Sequence, residues 1–311
     1  MINEHIKAFA PATVANVSCG FDILGFAIES PGDEIEISLT KKPGVKINSI
    51  IGDNGKLPLD PTLNSASVSI QSYINHINYN DGVEIILHKK MPISSGLGSS
   101  AASSVAAAHG INNLLGSPLN KKDLLPFILE GEKIACGSAH ADNAAASLLG
   151  GFILVRSYEP LDIISIDYPE DLVSIVIHPN LKIDTKVSRE LLKNNIKLTD
   201  AVSQWGNIAG LISGLYNKNY ELISKSLKDH IAEPKRSKLI KGFDDVKEAA
   251  LQSGAIGCGI SGSGPSMFAL SNDFNKAKII AESMQNTFHK HQVKSKYYIS
   301  DINSEGAIII K

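Results

Sequence analysis

A stretch rich in serine and glycine carries the residue types best suited to binding an anion. Residues 92–104 read Pro-Ile-Ser-Ser-Gly-Leu-Gly-Ser-Ser-Ala-Ala-Ser-Ser, with six serines and two glycines among the thirteen. Gly96 and Gly98 can take positive φ and let the backbone approach an anion closely. The hydroxyls of Ser99 and Ser100 could cap a helix, bind a phosphate oxygen or reach Mg²⁺. The density of these residues predicts a phosphate-binding loop, and a serine-capped helix start is the alternative.

The flanking residues predict the elements that position this loop. Residues 83–90 alternate apolar and polar side chains as a strand does. Residues 101–115 are rich in alanine and contain no proline, which favours a helix. The loop therefore leads into a helix N-terminus, where free backbone N–H groups and the positive end of the helix dipole attract phosphate.

Two well-known nucleotide-binding patterns fit this loop less well. A Walker A loop is excluded because Gly-Lys-Ser/Thr is absent and Lys89 and Lys90 precede the glycines. Gly96, Gly98 and Ala101 satisfy the Gly-x-Gly-x-x-Ala dinucleotide pattern, which also needs a second buried strand that ends in an acidic residue. Residues 120–134 look helical instead, so an NAD-dependent oxidoreductase remains only an alternative of a different class.

Composition limits the class of protein. The 311 residues are 43% hydrophobic and 20% charged, as expected for a soluble globular chain of one large or two ordinary domains. The net charge of −2 indicates no broad surface for nucleic acid or membrane, and neither a membrane span nor a signal peptide is evident. Cys19, Cys136 and Cys258 are odd in number and far apart, so we expect a reduced, cytoplasmic protein.

Arginine is unusually rare among the basic residues. The chain has 27 lysines and only three arginines, Arg156, Arg189 and Arg236. The planar arginine fork binds a carboxylate or phosphate through two parallel hydrogen bonds, which lysine cannot do. Each of the three arginines could therefore be retained as an anion ligand, and a random remnant is the alternative.

Two other small-residue stretches carry groups that could bind a ligand. Residues 11–22 place Asn16 and Asp22 around Gly20, either as a turn between strands or as an amide and a carboxylate that hold an ammonium or hydroxyl group. Residues 257–265, Gly-Cys-Gly-Ile-Ser-Gly-Ser-Gly-Pro, predict either a tight hairpin or a second nest of backbone N–H groups that faces the first loop across a cleft.

Acidic and amide residues follow the first loop along the chain. Glu132 lies on a predicted helix, and His140, Asp142 and Asn143 begin the next one. A solvated helix charge and a helix cap are the usual fates of such carboxylates. A carboxylate beside a phosphate loop would instead hold Mg²⁺, which bridges two phosphates.

The order of predicted elements indicates the fold class. Strands and helices intermix without a repeated strand–helix–strand rhythm, which favours an α+β fold in two domains. We expect the domain boundary between about residues 155 and 185. The predicted domains are residues 1–165, which contain the predicted phosphate-binding loop, and residues 166–311.

The motifs taken together resemble the small-molecule kinase superfamily of galactokinase, homoserine kinase, mevalonate kinase and phosphomevalonate kinase, the GHMP kinases. Residues 92–102 resemble its ATP loop and residues 257–265 its C-terminal motif. Pro-Ala-Thr-Val-Ala-Asn…Gly-Phe-Asp-Ile-Leu-Gly at 11–25 and His-x-Asp-Asn…Leu-Gly-Gly at 140–151 are similar to the homoserine kinase family. Their order and spacing over residues 11–265 make the resemblance specific, although each motif alone is weak.

This resemblance implies a fold and an activity. The fold would be the two-domain GHMP kinase fold, with an N-terminal domain like domain 2 of ribosomal protein S5 and a C-terminal ferredoxin-like α/β sandwich. The activity would be phosphorylation of the L-homoserine hydroxyl to O-phospho-L-homoserine in threonine biosynthesis, with ATP and Mg²⁺. A homodimer is the family expectation.

The resemblance also implies roles for individual residues. The ATP loop would comprise Pro92, Ile93, Ser94, Ser95, Gly96, Leu97, Gly98, Ser99, Ser100, Ala101 and Ala102, with Asn64 near the base. Ser100 and Glu132 match the Mg²⁺ ligands, and Glu132 and Asn143 the catalytic positions. The L-homoserine contacts would be Asn16, Asp22, His140, Arg189, Arg236 and Gly262. Within this set, Asn16 and Asp22 would hold the amino end, and the two arginines would grip the carboxylate.

Two positions depart from patterns common in the superfamily. Many relatives carry a catalytic aspartate where this chain has Asn143, so a dedicated carboxylate base is not expected. Ser18 and Cys19 replace a Gly-Pro pair, which puts the local loop shape in doubt.

Two further functions remain open. One is a kinase for another acceptor, such as mevalonate or shikimate, although mevalonate has no ammonium group for Asp22 to bind. The other is a non-catalytic ligand-binding protein on the same fold, against which the retained Ser100 and Glu132 argue.

Overall fold

The computed structural model describes residues 5–137, 139–192 and 195–310. Its strands are β1 (His5–Ala15), β2 (Leu24–Thr40), β3 (Gly44–Ile51), β4 (Gly82–His88), β5 (Phe152–Tyr158), β6 (Leu161–Ile166), β7 (Val173–Pro179), β8 (Gly257–Ile260), β9 (Met267–Ser271), β10 (Ser295–Asp301) and β11 (Ile308–Ile309). Its α-helices are α1 (Ser65–His76), α2 (Ser99–Leu114), α3 (Leu125–Cys136), α4 (Ala141–Leu149), α5 (Thr185–Glu190), α6 (Leu198–Tyr216), α7 (Tyr220–Ser226), α8 (Glu233–Arg236), α9 (Phe243–Gln252) and α10 (Phe274–Lys290).

The strands form two sheets. The larger sheet has the order β11-β1-β2-β4-β3, and β5 and β6 extend it from β2. The smaller sheet has the order β10-β7-β9-β8. All strand pairs in the described residues are antiparallel except β3 with β4. The α+β class is thereby confirmed, and the parallel doubly wound sheet of a dinucleotide-binding oxidoreductase is absent from the described chain.

Helix α2 is the central element of the larger layer. It lies on β1 and β2 and is flanked by α1, α3 and α4, so that nearly all of its length is buried. Its small residues are required by this crowding: a Cβ on Gly110 would stand 2.7 Å from Ile37 Cδ1 and 3.2 Å from Ala8 Cβ. The alanine-rich composition therefore reflects close packing around a helix that is buried on all sides.

The smaller sheet is covered by α9 and α10 and has its own apolar core, which includes Ile175, Met267 and Phe288. The chain passes from the larger sheet to the smaller one between β6 and β7. At its end, β11 returns to the larger sheet, where Ile309 pairs with Ala8. The division at residues 165 and 166 stays a prediction.

Several element boundaries differ from the sequence-based expectations. Strand β1 continues through Pro11 to Ala15, because residues 13–15 pair with residues 25–27 of β2 after a register shift. The predicted loop is therefore limited to residues 16–23. The stretch at residues 120–134 that looks helical in the sequence begins as a 3-10 turn at Lys121–Leu124 and continues as α3.

Two further observations concern the class of protein. Among the described helices, none combines the length and apolar character needed to cross a bilayer. Cys19 and Cys258 are buried free thiols. The side chain of Cys136 lies outside the described part of the chain.

Candidate active site

One cleft of about 1220 Å³ brings together most of the residues singled out in the sequence. Its lining includes Asn16, Asp22, Asn64, Ile93, Ser94, Ser95, Gly96, Gly98, Ser99, Ser100, Ala101, Glu132, His140, Asn143, Arg189, Arg236 and Gly262. Three members of the predicted ATP loop, Pro92, Leu97 and Ala102, do not line it. Leu97 and Ala102 are fully buried, so they support the loop from below.

The glycines of the loop are required by its backbone and its neighbours. Gly98 immediately precedes α2 and has a φ of 67°, and Gly96 has a φ of 78°. A Cβ on Gly98 would overlap Thr13 Oγ1 and stand 2.7 Å from Asn143 Oδ1. Glycine is thus the residue that allows α2 to begin beside two polar side chains.

A buried ion pair anchors the loop from beneath. Lys89 pairs with Asp33, and both side chains are almost completely buried. Lys89 Nζ also donates to Ser99 O at 2.8 Å and Ser103 Oγ at 2.7 Å, while Asp33 Oδ1 accepts from Lys90 N at 2.9 Å. The pair therefore joins the start of the loop to the first turn of α2. Sequence reasoning missed this role because nothing near Asp33 distinguishes it from other acidic residues.

The second glycine-rich loop contacts the first one directly. Ser261 Oγ donates to Gly96 O at 2.7 Å, and Ser266 N donates to Ser95 O at 3.2 Å. The two glycine-rich loops are thus joined by hydrogen bonds, and Gly262 and Ser263 of the second loop line the same cleft as the first loop.

Gly262 links three segments of the site. It has a φ of 56°, and its N–H donates to Ala15 O at 3.1 Å. Its carbonyl accepts from Asn16 Nδ2 at 2.9 Å and from Arg236 Nη1 at 3.1 Å. The backbone of Gly262 thereby holds one candidate residue from each half of the chain.

Glu132 and Ser100 are the residues best suited to a metal ion. Glu132 is 2% exposed, and burial raises its pKa to about 7, against the opposing effects of Ser100 and Lys89. Within the described residues, Glu132 Oε1 and Ser100 Oγ are buried atoms without a hydrogen-bond partner of standard geometry. An unpartnered buried carboxylate oxygen beside a hydroxyl fits Mg²⁺, which prefers oxygen ligands and keeps positions for phosphate and water.

Asn143 projects from the first turn of α4 toward the start of α2. Its Oδ1 accepts from Thr13 Oγ1 at 2.8 Å, which orients the amide. The neighbouring Asp142 does not cap the helix, because His140 occupies the N-cap position. Instead Asp142 is buried in the cleft wall, where burial and the nearby Asp22 raise its pKa to about 7.

A second group of charged side chains in the cleft surrounds Asp22. Arg189 binds Asp22 through both terminal guanidinium nitrogens: Nη2 donates to Oδ2 at 2.5 Å and Nη1 to Oδ1 at 3.3 Å. Arg236 is buried and lies beside the Phe21 ring, 5.0 Å from its centroid, and Arg189 lies 5.7 Å from the same ring. Two guanidinium groups thus lie beside the same aromatic ring, and one of them pairs with the Asp22 carboxylate. Groups of both charges at one place suit a zwitterionic ligand.

The remaining candidates have less specific surroundings. Burial lowers the pKa of His140, which favours the neutral imidazole, while the nearby Asp22 opposes this shift. Asn64 caps α1, where its Oδ1 accepts from Ala66 N at 3.1 Å. Arg156 forms an exposed ion pair with Asp162 and does not line the cleft. Sequence reasoning did not identify Tyr158, whose hydroxyl donates to Asp22 O at 2.8 Å.

Comparison with known proteins identifies the family. Residues 64–151 match the model of the GHMP kinases N terminal domain, and residues 211–290 match that of the GHMP kinases C terminal. The chain is 48% identical to the homoserine kinase of Chloroherpeton thalassium over 99% of this chain and 100% of that protein. It is 47% identical to the homoserine kinase of Chlorobaculum tepidum over 99% of this chain and 98% of that one.

Comparison with solved structures indicates the same family. The crystal structure of homoserine kinase from Cytophaga hutchinsonii is 53% identical and superposes with a TM-score of 0.98 over 100% of this chain and 98% of that chain. The mevalonate kinase of L. major, solved with R-mevalonate, shares only the fold, at 14% identity and a TM-score of 0.73 over 95% of this chain and 96% of that one. The expected two-domain fold is confirmed, and the chain belongs to the homoserine kinase family of the GHMP kinases.

Proposed function

We propose that this protein transfers the γ-phosphate of ATP to the side-chain hydroxyl of L-homoserine, which yields O-phospho-L-homoserine for threonine biosynthesis. One observation of the structure supports this proposal in addition to the family membership. A single cleft contains a phosphate-type loop at one end and a carboxylate with two arginines at the other. The first end suits a nucleotide and the second suits a small amino acid.

The nucleotide would bind at the start of α2. The first N–H groups of a helix have no partner within it, and those of Ser99, Ser100 and Ala101 begin α2 without a side-chain cap. Ser100 and Glu132 would hold Mg²⁺, which supplies positive charge against the phosphate oxygens when it is bound. Their unpartnered buried atoms support this assignment. Asn64 lines the same end of the cleft, where we place the base.

The acceptor would bind at the charged end. Its ammonium group would be held by the Asp22 carboxylate, with Asn16 nearby, because Asn16 Oδ1 accepts from Asp22 N at 3.0 Å. Its carboxylate would be held by Arg189 and Arg236, whose planar forks bind a carboxylate in a bidentate manner. His140 and the Gly262 backbone complete the lining.

The reaction requires positioning more than covalent help. The acceptor oxygen attacks the γ-phosphorus, a new O–P bond forms, the bond from the γ-phosphorus to the β–γ bridging oxygen breaks, and the hydroxyl proton is released as ADP leaves. Asn143 would orient the hydroxyl, since a neutral amide cannot take the proton. Phosphoryl transfer depends largely on alignment and charge stabilisation, so a dedicated carboxylate base is not needed.

A panel of acceptors tests this function. The protein is incubated with Mg-ATP and L-homoserine, mevalonate, shikimate or L-serine, and ADP release is measured. We expect turnover with L-homoserine alone and its loss when Mg²⁺ is chelated. Turnover with a different acceptor would reassign Asp22, Arg189 and Arg236, and ATP binding without any turnover would support a non-catalytic protein.

We also propose that the protein forms a homodimer through one face of α6. Leu198, Val202 and Trp205 are spaced as neighbours on that face and are 71%, 56% and 60% exposed. Aromatic side chains such as tryptophan are enriched at the centres of interfaces. A second copy of the same face would cover them in a two-fold arrangement.

A further inference from the structure

The side chain of Gln204 joins two segments of the cleft that lie far apart in the sequence. Gln204 lies on α6 and is only 4% exposed. Its Nε2 donates to Cys19 O at 2.7 Å and to Asp229 Oδ1 at 3.0 Å, and its Oε1 accepts from His230 N at 2.9 Å. One amide group therefore contacts both the loop that follows β1 and the turn that precedes α8.

The loop that follows β1 needs outside support. Asn16, Val17 and Ser18 have consecutive positive φ values of 70°, 42° and 58°, and Asp22 has a φ of 60°. Such torsions are unfavourable for residues with a side chain, most of all for β-branched Val17, and persist only where the surroundings enforce them. Cys19 lies between this run and Asp22, so the bond to its carbonyl holds the middle of the strained loop.

The other partner of Gln204 controls the start of α8. Asp229 Oδ1 accepts from Ile231 N at 2.8 Å and Ala232 N at 3.1 Å, and Oδ2 accepts from Glu233 N at 2.7 Å. Glu233 begins the four-residue helix that ends with Arg236. The Asp229 carboxylate thus holds the first residues of α8, and the position of α8 fixes the backbone of Arg236.

We propose that Gln204 is a positioning residue that sets the separation between Asp22 and Arg236. These two side chains would hold the ammonium and carboxylate groups of the acceptor. Gln204 would therefore keep them at the distance that the two groups of an α-amino acid require. This inference rests on the proposed function. Phe21 supports it, because its ring follows Cys19 by two residues and packs against the Arg236 guanidinium.

Glutamine is the residue type that this position requires. Glutamate would keep the shape but would lose both N–H donors and place a second carboxylate beside Asp229. Methionine would keep the volume and lose every hydrogen bond, so that Cys19 O and the Asp229 carboxylate each lose a donor. Both changes leave the lining of the cleft itself intact, because Gln204 does not line it.

The test compares Gln204→Met with Asn207→Ala. Asn207 lies one turn further along α6, and its Nδ2 donates to Lys228 O at 2.8 Å without touching the loop after β1. We expect Gln204→Met to raise KM for L-homoserine about tenfold, because the loss of one or two hydrogen bonds would misplace Asp22 and Arg236. KM for ATP should stay within about twofold of the wild-type value. Asn207→Ala should leave both KM values unchanged.

Several results would overturn the inference. Equal increases in both KM values would indicate a general structural role, and unchanged KM for L-homoserine would exclude positioning. If Gln204→Met does not fold, Gln204→Glu must show the same selective increase. No turnover of L-homoserine by wild type would overturn the proposed function and this inference with it, whereas normal wild-type turnover with an unaffected variant would overturn this inference alone.

Discussion

Two carboxylates of the cleft, Asp22 and Glu132, differ in how their charges are paired. Asp22 is paired with Arg189, whereas Glu132 is buried with one oxygen unpartnered. Burial penalises the ionised carboxylate of Glu132 and raises its pKa to about 7, although Ser100 and Lys89 oppose this shift. Burial therefore disfavours the ionised form of Glu132, and a bound cation would favour it.

At the same scale, Asn143→Ala tests the orientation of the acceptor hydroxyl. The change removes the amide that Thr13 holds in place, so we expect kcat to fall about ten- to hundredfold, in line with the loss of about 1.5–3 kcal/mol of transition-state hydrogen bonding. KM for ATP should change little. Steady-state kinetics with both substrates measures these values.

The control for this variant is Ser147→Ala. Ser147 lies on the same helix, but its Oγ donates to Pro11 O at 2.8 Å on the buried side. It should lower stability without lowering kcat. An Asn143→Ala enzyme with wild-type kcat would remove this residue from the mechanism.

At the scale of elements, α2 does two tasks that demand the same kind of residue. It must lie close to the larger sheet along its length, and it must present its first N–H groups to an anion. Alanine, serine and glycine satisfy both demands because they keep neighbouring backbones close. The Lys89–Asp33 pair beneath the first turn then fixes the start of the helix relative to β2 and β4.

Gly98→Ala tests the start of α2. The new methyl group would overlap Thr13 Oγ1, so the loop must shift, and we expect KM for ATP to rise at least about tenfold. The left-handed backbone should also cost about 1–2 kcal/mol of stability. ATP kinetics and thermal unfolding report the two effects.

Gly116→Ala is the matched control for this prediction. Gly116 follows the other end of α2 with a φ of 85°, and a Cβ there meets nothing within 4 Å. It should show a similar loss of stability with an unchanged KM for ATP. If the two variants raise that KM equally, crowding at Gly98 is not the cause.

At the scale of the whole molecule, the cleft is shared by both halves of the chain. The phosphate-type loop precedes β5, whereas Arg189, Arg236 and Gly262 follow β7. The Ser261–Gly96 and Asn16–Gly262 hydrogen bonds hold the two halves together at the cleft. A change that loosens this contact should therefore affect nucleotide and acceptor binding together.

The proposed dimer is tested by Trp205→Glu. A charge in the centre of the apolar face should prevent association, since burying it without a partner costs several kcal/mol. Sedimentation should give about twice the chain mass of 33.2 kDa for the wild type and the single chain mass for the variant. Ile279→Glu, at an exposed position on α10, should leave the dimer intact. A monomeric wild type would contradict the proposal.

Local features of the chain were predictable because they depend on near neighbours. The strand before the loop, helix α2 and the positive φ at Gly96 and Gly98 follow from side-chain alternation, helix propensity and the absence of a Cβ. The order of the motifs indicated the family, which the comparisons confirm. The family resemblance, together with the scarcity of arginine, pointed to Arg189 and Arg236, and both line the cleft.

The sequence by itself thus determined the phosphate-type loop and the fold class, and most of the site residues that it indicated line the cleft. Only the tertiary structure decided which distant groups meet: Lys89 with Asp33, Thr13 with Asn143, and Gln204 with Cys19 and Asp229. The physical reason is that a hydrogen bond between residues separated by 25 to 185 positions has no local signature. Such contacts exist only after packing has fixed the relative positions of whole elements.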